Sequence, residues 1–135
     1  MPRHEQIPGT TAEWLARARA DLAMAKAPLP EGAVYEALCF HAQQATEKAI
    51  KAVFRSRHQG FEYTHNIGHL LHGLERLGLL LPQGIEDSVQ LTDYASRTKY
   101  LGTGEPVSRE EYEHAVDLAE RVVHWATTVI ESERQ

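Results

Sequence analysis

Three polar side chains with the spacing of one helix edge are the first candidates for chemistry: His41, Gln44 and Lys48. Gln44 and Lys48 lie one turn apart on a helix, and His41 lies beside them about one turn earlier. Half-buried amides and ammonium groups are costly unless they are paired. We therefore expect this edge to contact a ligand, a neighbouring helix or a second subunit. Glu47 and Lys51 have the i,i+4 spacing of a modest surface ion pair.

A second set of candidates lies in the turn Arg97-Thr98-Lys99-Tyr100, before a loop that contains Gly102 and Gly104. Arginine can bind phosphate oxygens through its planar guanidinium, and tyrosine can stack on a nucleobase. A helix C-terminus also favours cations through its dipole, so a solvated helix end is the alternative explanation of Arg97 and Lys99. The glycines lack the spacing of a Walker or dinucleotide-binding loop, and we predict no cofactor.

Three histidines, His65, His69 and His72, have the spacing that places them on one helical face. Such a stripe can bind zinc or nickel when another ligand completes the coordination shell. The stripe lies opposite a leucine-rich face, however, and Arg76 continues it with a cation that repels a metal ion. We therefore expect a solvated polar face without a metal, with His65 near the start of the helix.

The composition restricts the class of protein. The chain has 135 residues, of which 42% are hydrophobic and 24% charged, and its formal net charge is −5. These values fit a single globular domain, residues 1–135, and argue against a generic basic protein that coats nucleic acid. A single cysteine, Cys39, excludes an internal disulfide and a cysteine-rich zinc framework, and we expect it in the core. We see neither a signal-peptide pattern nor a membrane-spanning apolar run, so we expect a cytoplasmic location without a membrane partner.

Apolar residues repeat with a period near 3.6 and do not alternate convincingly, which predicts an all-α fold. Thr10 with Glu13 and Ser108 with Glu111 have the capping-box spacing that begins a helix. Because the connections are short, we predict an up-and-down four-helix bundle with one additional shorter helix, and no sheet. The predicted helices lie near residues 11–27, 34–58, 66–80, 85–97 and 108–132.

Two phenylalanines, Phe40 and Phe54, lie on the flank of the second predicted helix opposite its main apolar stripe. If both were exposed, they would contribute to an apolar surface patch. We therefore predict a homodimer whose interface covers them. Packing beneath the N-terminal arm or beneath the loop at residues 98–106 is the alternative within one chain.

The order of several short motifs resembles that of the HEPN family, small helical domains of prokaryotes and higher eukaryotes. The resemblance extends from about Trp14 to Trp125. It implies a nucleotide-binding module or a ribonuclease toxin of a toxin–antitoxin pair, with a small nucleotidyltransferase as protein partner. The motifs that carry it are Trp14, Asp21-Leu22, the string Gln-Gln-Ala-Thr-Glu-Lys within residues 39–52, Tyr63-Thr64-His65 and Arg97-Thr98-Lys99-Tyr100.

Ribonuclease members of this family carry an arginine followed, after a gap of four to six residues, by a histidine. In this chain no histidine follows Arg97 before His114, so the motif is absent and we assign no catalytic residue. We predict a homodimeric HEPN-type module that binds a nucleotide or RNA. The alternatives are a non-catalytic helical dimerisation protein and a ribonuclease with an atypical Arg/His arrangement. The predicted nucleotide-binding residues are His41, Gln44, Lys48, His65, Arg97, Lys99 and Tyr100.

Overall fold

The computed structural model describes residues 9–95 and 105–133 of the chain. All regular secondary structure in these two ranges is helical, which confirms the predicted all-α fold. The elements are α1 (Thr11–Ala25), α2 (Tyr35–Ser56), α3 (Ile67–Arg76), α4 (Gln83–Glu86), a 3₁₀-helix (Asp87–Ala95) and α5 (Arg109–Glu133).

Side-chain caps define where the helices begin. Thr10 Oγ1 accepts a hydrogen bond from Glu13 N, and Glu13 Oε1 accepts one from Thr10 N, so the predicted capping box of α1 is confirmed. At α3 the cap is Asn66, whose Oδ1 accepts from His69 N at 3.0 Å. These bonds pair backbone N–H groups that have no partner within the helix.

Two helices end earlier than predicted because a left-handed residue follows each of them. His58 has a φ of 59° and Gly78 a φ of 88°. After α2, Gln59 N donates to Phe54 O, and after α3, Leu79 N donates to Leu74 O. Both are the long backward bonds of a Schellman ending. Therefore α2 ends at Ser56 and α3 at Arg76.

Helix α2 lies at the centre of the described fold, where it contacts α1, α5, α3 and the 3₁₀-helix. Helices α2 and α5 run parallel, since Tyr35 stacks on Tyr112 near their starts and Ser56 donates to Glu133 near their ends. Helix α1 runs antiparallel to α2, which it contacts through the pairs Trp14–Lys51 and Asp21–Lys48. The long helices approach closely because small residues face each other: Ala18, Ala42, Ala45, Ala49, Ala119 and Ala126 are fully buried.

The fourth helical segment differs from the predicted α-helix over most of its length. After the short α4, the chain continues as a 3₁₀-helix, in which every third residue returns to the same face. The buried side chains accordingly are Ser88, Leu91 and Tyr94. Val89, which a 3.6-residue period places on the buried face, is 42% exposed.

The two phenylalanines of α2 have different surroundings. Phe54 is buried within the chain, next to Phe61 of the α2–α3 connection and Gly73 of α3. Because Phe54 packs within the chain, it gives no support to a dimer. Phe40 remains 40% exposed. Cys39 is fully buried, as expected for a core residue.

Candidate functional site

The carboxylate of Glu47 is the centre of a polar cluster on α2. Only 3% of its side chain is exposed. Lys51 Nζ lies 2.6 Å from Oε1, and Gln43 Nε2 lies 2.9 Å from Oε2. His65 Nδ1 lies 3.0 and 3.1 Å from the two oxygens, and Gln44 Nε2 lies 3.4 Å from Oε2. Each contact brings an N–H group to the carboxylate, which compensates for its loss of water.

Glu47 is held in its ionised form. Burial raises the pKa of this carboxyl, but the hydrogen bond and charge of Lys51, with the hydrogen bonds of His65 and Gln43, outweigh burial. The pKa therefore lies below its ordinary value of 4.5. A carboxylate in this state can only accept hydrogen bonds, so the groups around it must present their N–H atoms to it.

The ion pair between Glu47 and Lys51 has the predicted i,i+4 spacing, but it is not the surface pair that we expected. The side chain of Lys51 is only 12% exposed. Its ammonium lies 5.6 Å from the ring centre of Trp14 on α1 and 5.3 Å from that of Phe61. These two rings come from α1 and from the α2–α3 connection, and they shield the pair from water.

A second carboxylate, that of Asp21 in α1, is partly buried and holds two of the predicted site residues. His41 Nδ1 lies 2.9 Å from Oδ1, and Lys48 Nζ lies 2.6 Å from Oδ2. The Asp21 side chain is 13% exposed, whereas those of His41 and Lys48 retain about a third and a quarter of their surface. A carboxylate from α1 thus orients an imidazole and an ammonium group that both still reach solvent.

Gln44 lies between the two carboxylate clusters. Around the helix it falls between Glu47 and Lys48, and its Nε2 donates to Gln43 Oε1 at 2.6 Å. The two clusters are therefore parts of one continuous surface. We call His41, Gln44, Lys48 and His65, together with the carboxylates of Asp21 and Glu47, the α2 polar strip.

The structure brings four of the seven predicted nucleotide-binding residues onto this strip: His41, Gln44, Lys48 and His65. All four have partners within the same chain: His41 and Lys48 contact Asp21 of α1, and Gln44 and His65 contact Glu47 of α2. The other three, Arg97, Lys99 and Tyr100, lie outside the described residues. The 3₁₀-helix that precedes them is anchored beside the start of α3, where Ile67 N donates to Thr92 Oγ1 at 3.2 Å.

Sequence reasoning misses the residues that organise the strip. It assigns Glu47 only to a surface pair, and it places Asp21 and Gln43 only within family motifs. A usable signal for Gln43 is its i,i+4 spacing to Glu47, on the buried arc of a predicted central helix. For Asp21 the sequence offers no comparable signal, because its partners come from another helix.

The histidines that follow His65 do not join the strip. His69 and His72 are largely exposed, and each lies 4.0 Å from a glutamate, Glu62 and Glu75 respectively. Their solvated positions agree with the expected polar face of α3. Among residues 9–95 and 105–133, no group of three or more His, Cys, Asp or Glu side chains is arranged to hold a metal ion.

A separate cavity of about 340 Å³ lies between the 3₁₀-helix and α5. Its polar lining residues are Gln90, Asp93, Tyr94, Glu111 and His114. The Tyr94 hydroxyl donates to Glu111. None of the described residues that line this cavity is a predicted site residue. In the part of the chain that the structure describes, no helix is both long enough and apolar enough to cross a membrane.

Two solved structures are similar to this fold over nine-tenths of the chain. The structure of TT1696 from Thermus thermophilus is similar with a TM-score of 0.72 and 30% identity, over 91% of this chain and 97% of that one. The structure of ST0689, described as an archaeal HEPN homologue, is similar with a TM-score of 0.73, over 91% of this chain and 99% of that one. At 24% identity, this second likeness supports the fold alone.

No curated protein matches the sequence. The family model of the HEPN domain matches residues 11–130, from the first turn of α1 into the last turn of α5. The matched range includes both carboxylates of the α2 polar strip and every residue predicted to bind a nucleotide. The resemblance inferred from the motifs is therefore confirmed, and the chain belongs to the HEPN domain family.

Proposed function

We propose that this chain is a HEPN-type module that binds a nucleotide or RNA at the α2 polar strip. The observation that carries the proposal is the arrangement of two carboxylates, Glu47 buried and Asp21 partly buried, that hold partly exposed nitrogen and oxygen groups on one surface. Side chains fixed in this way lose little conformational freedom when a ligand binds, which favours binding. Membership of the HEPN family, whose domains are typically related to nucleotides or RNA, supports the same conclusion.

The strip and the turn at residues 97–100 have different roles in this proposal. With neutral histidines, Lys48 and Lys51 balance the charges of Asp21 and Glu47, so the strip supplies hydrogen bonds rather than net positive charge. Arg97 and Lys99 supply the attraction to phosphate, and Tyr100 supplies a ring on which a base can stack. This assignment rests on residue types and on the family resemblance.

The test is fluorescence anisotropy with a labelled single-stranded RNA at several salt concentrations. Binding should weaken as salt increases, because phosphate contacts release counterions. Arg97→Ala should weaken binding about ten- to a hundredfold, since a charge-assisted hydrogen bond contributes about 1.5–3 kcal/mol. Arg134→Ala, which removes a cation near the C-terminus, is the matched control and should have a much smaller effect.

Two further measurements separate this proposal from its alternatives. Tyr100→Ala should weaken binding of an oligonucleotide more than binding of inorganic phosphate, because only the oligonucleotide has a base to stack. A cleavage gel run beside the titration should show intact RNA, since the ribonuclease spacing is absent. Robust cleavage that disappears in Arg97→Ala would instead favour an atypical ribonuclease. Equal RNA affinities for wild type, Arg97→Ala and Tyr100→Ala would reduce the turn to a solvated helix end. Absence of RNA binding by all three proteins would favour a non-catalytic dimerisation protein.

The proposed module is a homodimer. Phe40 on α2 and Met24 on α1 are both large apolar side chains with at least 40% of their surface exposed, and a second copy would remove them from water. Sedimentation equilibrium of the full chain should give twice the monomer mass of 15.2 kDa. A monomer mass across micromolar concentrations would contradict this part of the proposal.

The family resemblance also implies a small nucleotidyltransferase as a protein partner. Co-expression of the chain with a nucleotidyltransferase encoded beside it should yield a complex that survives size-exclusion chromatography. Separate elution of the two proteins at micromolar concentrations would contradict this partnership. It would not affect RNA binding, which the anisotropy measurements test.

A further inference from the structure

We propose that the α2 polar strip selects ribonucleotides over deoxyribonucleotides, with His65 Nε2 accepting a hydrogen bond from the ribose 2′-hydroxyl. The inference rests on the proposed function, which it makes more specific. It follows from the direction of the hydrogen bonds around Glu47, which determines whether each exposed group on the strip is a donor or an acceptor.

The first chain of hydrogen bonds runs from Glu47 through Gln43 to Gln44. Because the ionised carboxylate only accepts, Gln43 must present its amide N–H₂ to it, at 2.9 Å. Gln43 Oε1 then faces Gln44, which must donate its own Nε2–H across 2.6 Å. Both hydrogens of the Gln44 amide are directed to Gln43 and Glu47. The atom that Gln44 has left for a ligand is its carbonyl Oε1, an acceptor.

The second chain runs from Glu47 to the ring of His65. Nδ1 lies within 3.1 Å of both carboxylate oxygens, so Nδ1 must carry a hydrogen. In the neutral ring this fixes the tautomer, and the lone pair is on Nε2. The His65 side chain is 68% exposed, and its ring geometry directs Nε2 away from Glu47. The neutral His65 ring therefore also presents an acceptor.

Two acceptors that share one buried carboxylate favour a ligand with hydroxyl or N–H donors. A ribonucleotide supplies a 2′-hydroxyl donor together with a phosphate, for which Lys48 still has ammonium hydrogens beyond the one directed to Asp21. A deoxyribonucleotide lacks the 2′-hydroxyl, the group by which proteins distinguish RNA from DNA. Its binding would leave His65 Nε2 without that partner.

The test compares three oligonucleotides of one base sequence: oligouridine, oligodeoxyuridine and 2′-O-methyl oligouridine. Fluorescence anisotropy of the full chain, at about pH 8 where ordinary histidines are neutral, gives the affinity for each. Wild type should bind oligouridine about three- to tenfold more tightly than either analogue, the effect of one neutral hydrogen bond. His65→Ala should bind all three equally. His69→Ala is the control. It removes an exposed imidazole of α3 that has no contact with Glu47, and the variant should retain the preference for oligouridine.

The outcomes separate this inference from the proposed function. Equal wild-type affinities for oligouridine and both analogues would overturn the inference but leave nucleotide binding intact. A preference that survives in His65→Ala would also overturn it. Absence of binding to all three would overturn both the inference and the proposed function.

A measurement without a ligand tests the same step. Nitrogen-15 NMR of the imidazole groups should identify His65 as the Nδ1–H tautomer at that pH, and His69 serves as the reference. An Nε2–H tautomer at His65 would overturn the inference, because that ring would present a donor to the ribose.

Discussion

Replacing Glu47 with glutamine tests whether the buried carboxylate holds α2, α1 and the α2–α3 connection together. The change removes the negative charge beside Lys51 and places an amide N–H₂ where the carboxylate accepts hydrogen bonds. Removing one partner of a buried ion pair costs about 3–5 kcal/mol. We expect Glu47→Gln to lower the free energy of unfolding by about 3 kcal/mol, the low end of this range. His65 can turn into solvent and lose little, but Lys51 cannot, because its ammonium is covered by the rings of Trp14 and Phe61.

The assay is urea unfolding at pH 7 and 25 °C, followed by circular dichroism at 222 nm. The midpoint should fall without a change in the slope with denaturant, since the surface exposed on unfolding stays the same. Asp117→Asn is the matched control, because Asp117 also pairs with a cation at i,i+4. Its oxygen lies 2.8 Å from an Arg121 nitrogen, and about half of each side chain is exposed. This control should cost no more than about 0.5 kcal/mol. A difference between the two variants below about 1 kcal/mol would refute the proposed role of the buried carboxylate.

Three further predictions concern pH, packing and helix ends. The pKa of Glu47 is lower in the folded chain. Its contribution to the free energy of unfolding should therefore be present above pH 4.5 and lost as pH falls through the folded-state pKa. Urea titrations of wild type and Glu47→Gln should converge below that pKa. Gly73→Ala should destabilise by about 1–3 kcal/mol, since a Cβ would lie 2.9 Å from the Phe54 ring, and Phe54→Leu should recover part of the loss in a double-mutant cycle. Both His58 and Gly78 have positive φ, which glycine adopts more easily than other residues. His58→Gly should therefore stabilise the fold by up to about 1 kcal/mol, and Gly78→Ala should destabilise it by about as much. A melting temperature that shifts in the same direction in both variants would contradict this reasoning.

The long helices could be predicted from the sequence because their signals are local. The period of apolar residues identifies the face of α2 that meets its neighbours, and the Thr10–Glu13 spacing identifies the first turn of α1. Each signal involves residues within a few turns of one another. The structure confirms the all-α fold on this basis.

The errors in the helices arise where a local signal is outweighed or overlooked. Gly78 lies inside the predicted span of α3, but its left-handed conformation ends the helix at Arg76. The segment at residues 87–95 changes from 3.6 to three residues per turn, which moves Val89 from the predicted buried face to the surface. A period of 3.6 cannot reveal that change at its start, because Ile85 and Ser88, at i and i+3, fit both patterns.

The candidate site could be predicted only in part, since burial depends on contacts between segments. The helical spacing of His41, Gln44 and Lys48 correctly indicated a shared polar edge. The environment of Glu47, in contrast, is set by Trp14 from α1 and by residues of the α2–α3 connection, such as His65. No local pattern shows that these groups enclose one carboxylate, so the buried network becomes visible only in the folded chain.

The most direct test of the central claim is an NMR titration of the nitrogen-15-labelled chain with a short single-stranded RNA. We predict that the largest shifts occur at the imidazole of His65 and the side-chain amide of Gln44, with smaller shifts at the exposed imidazole of His72. Saturable shifts at His65 and Gln44 would establish that the α2 polar strip binds the ligand. Shifts confined to other parts of the chain, with His65 and Gln44 unchanged at saturation, would contradict the account.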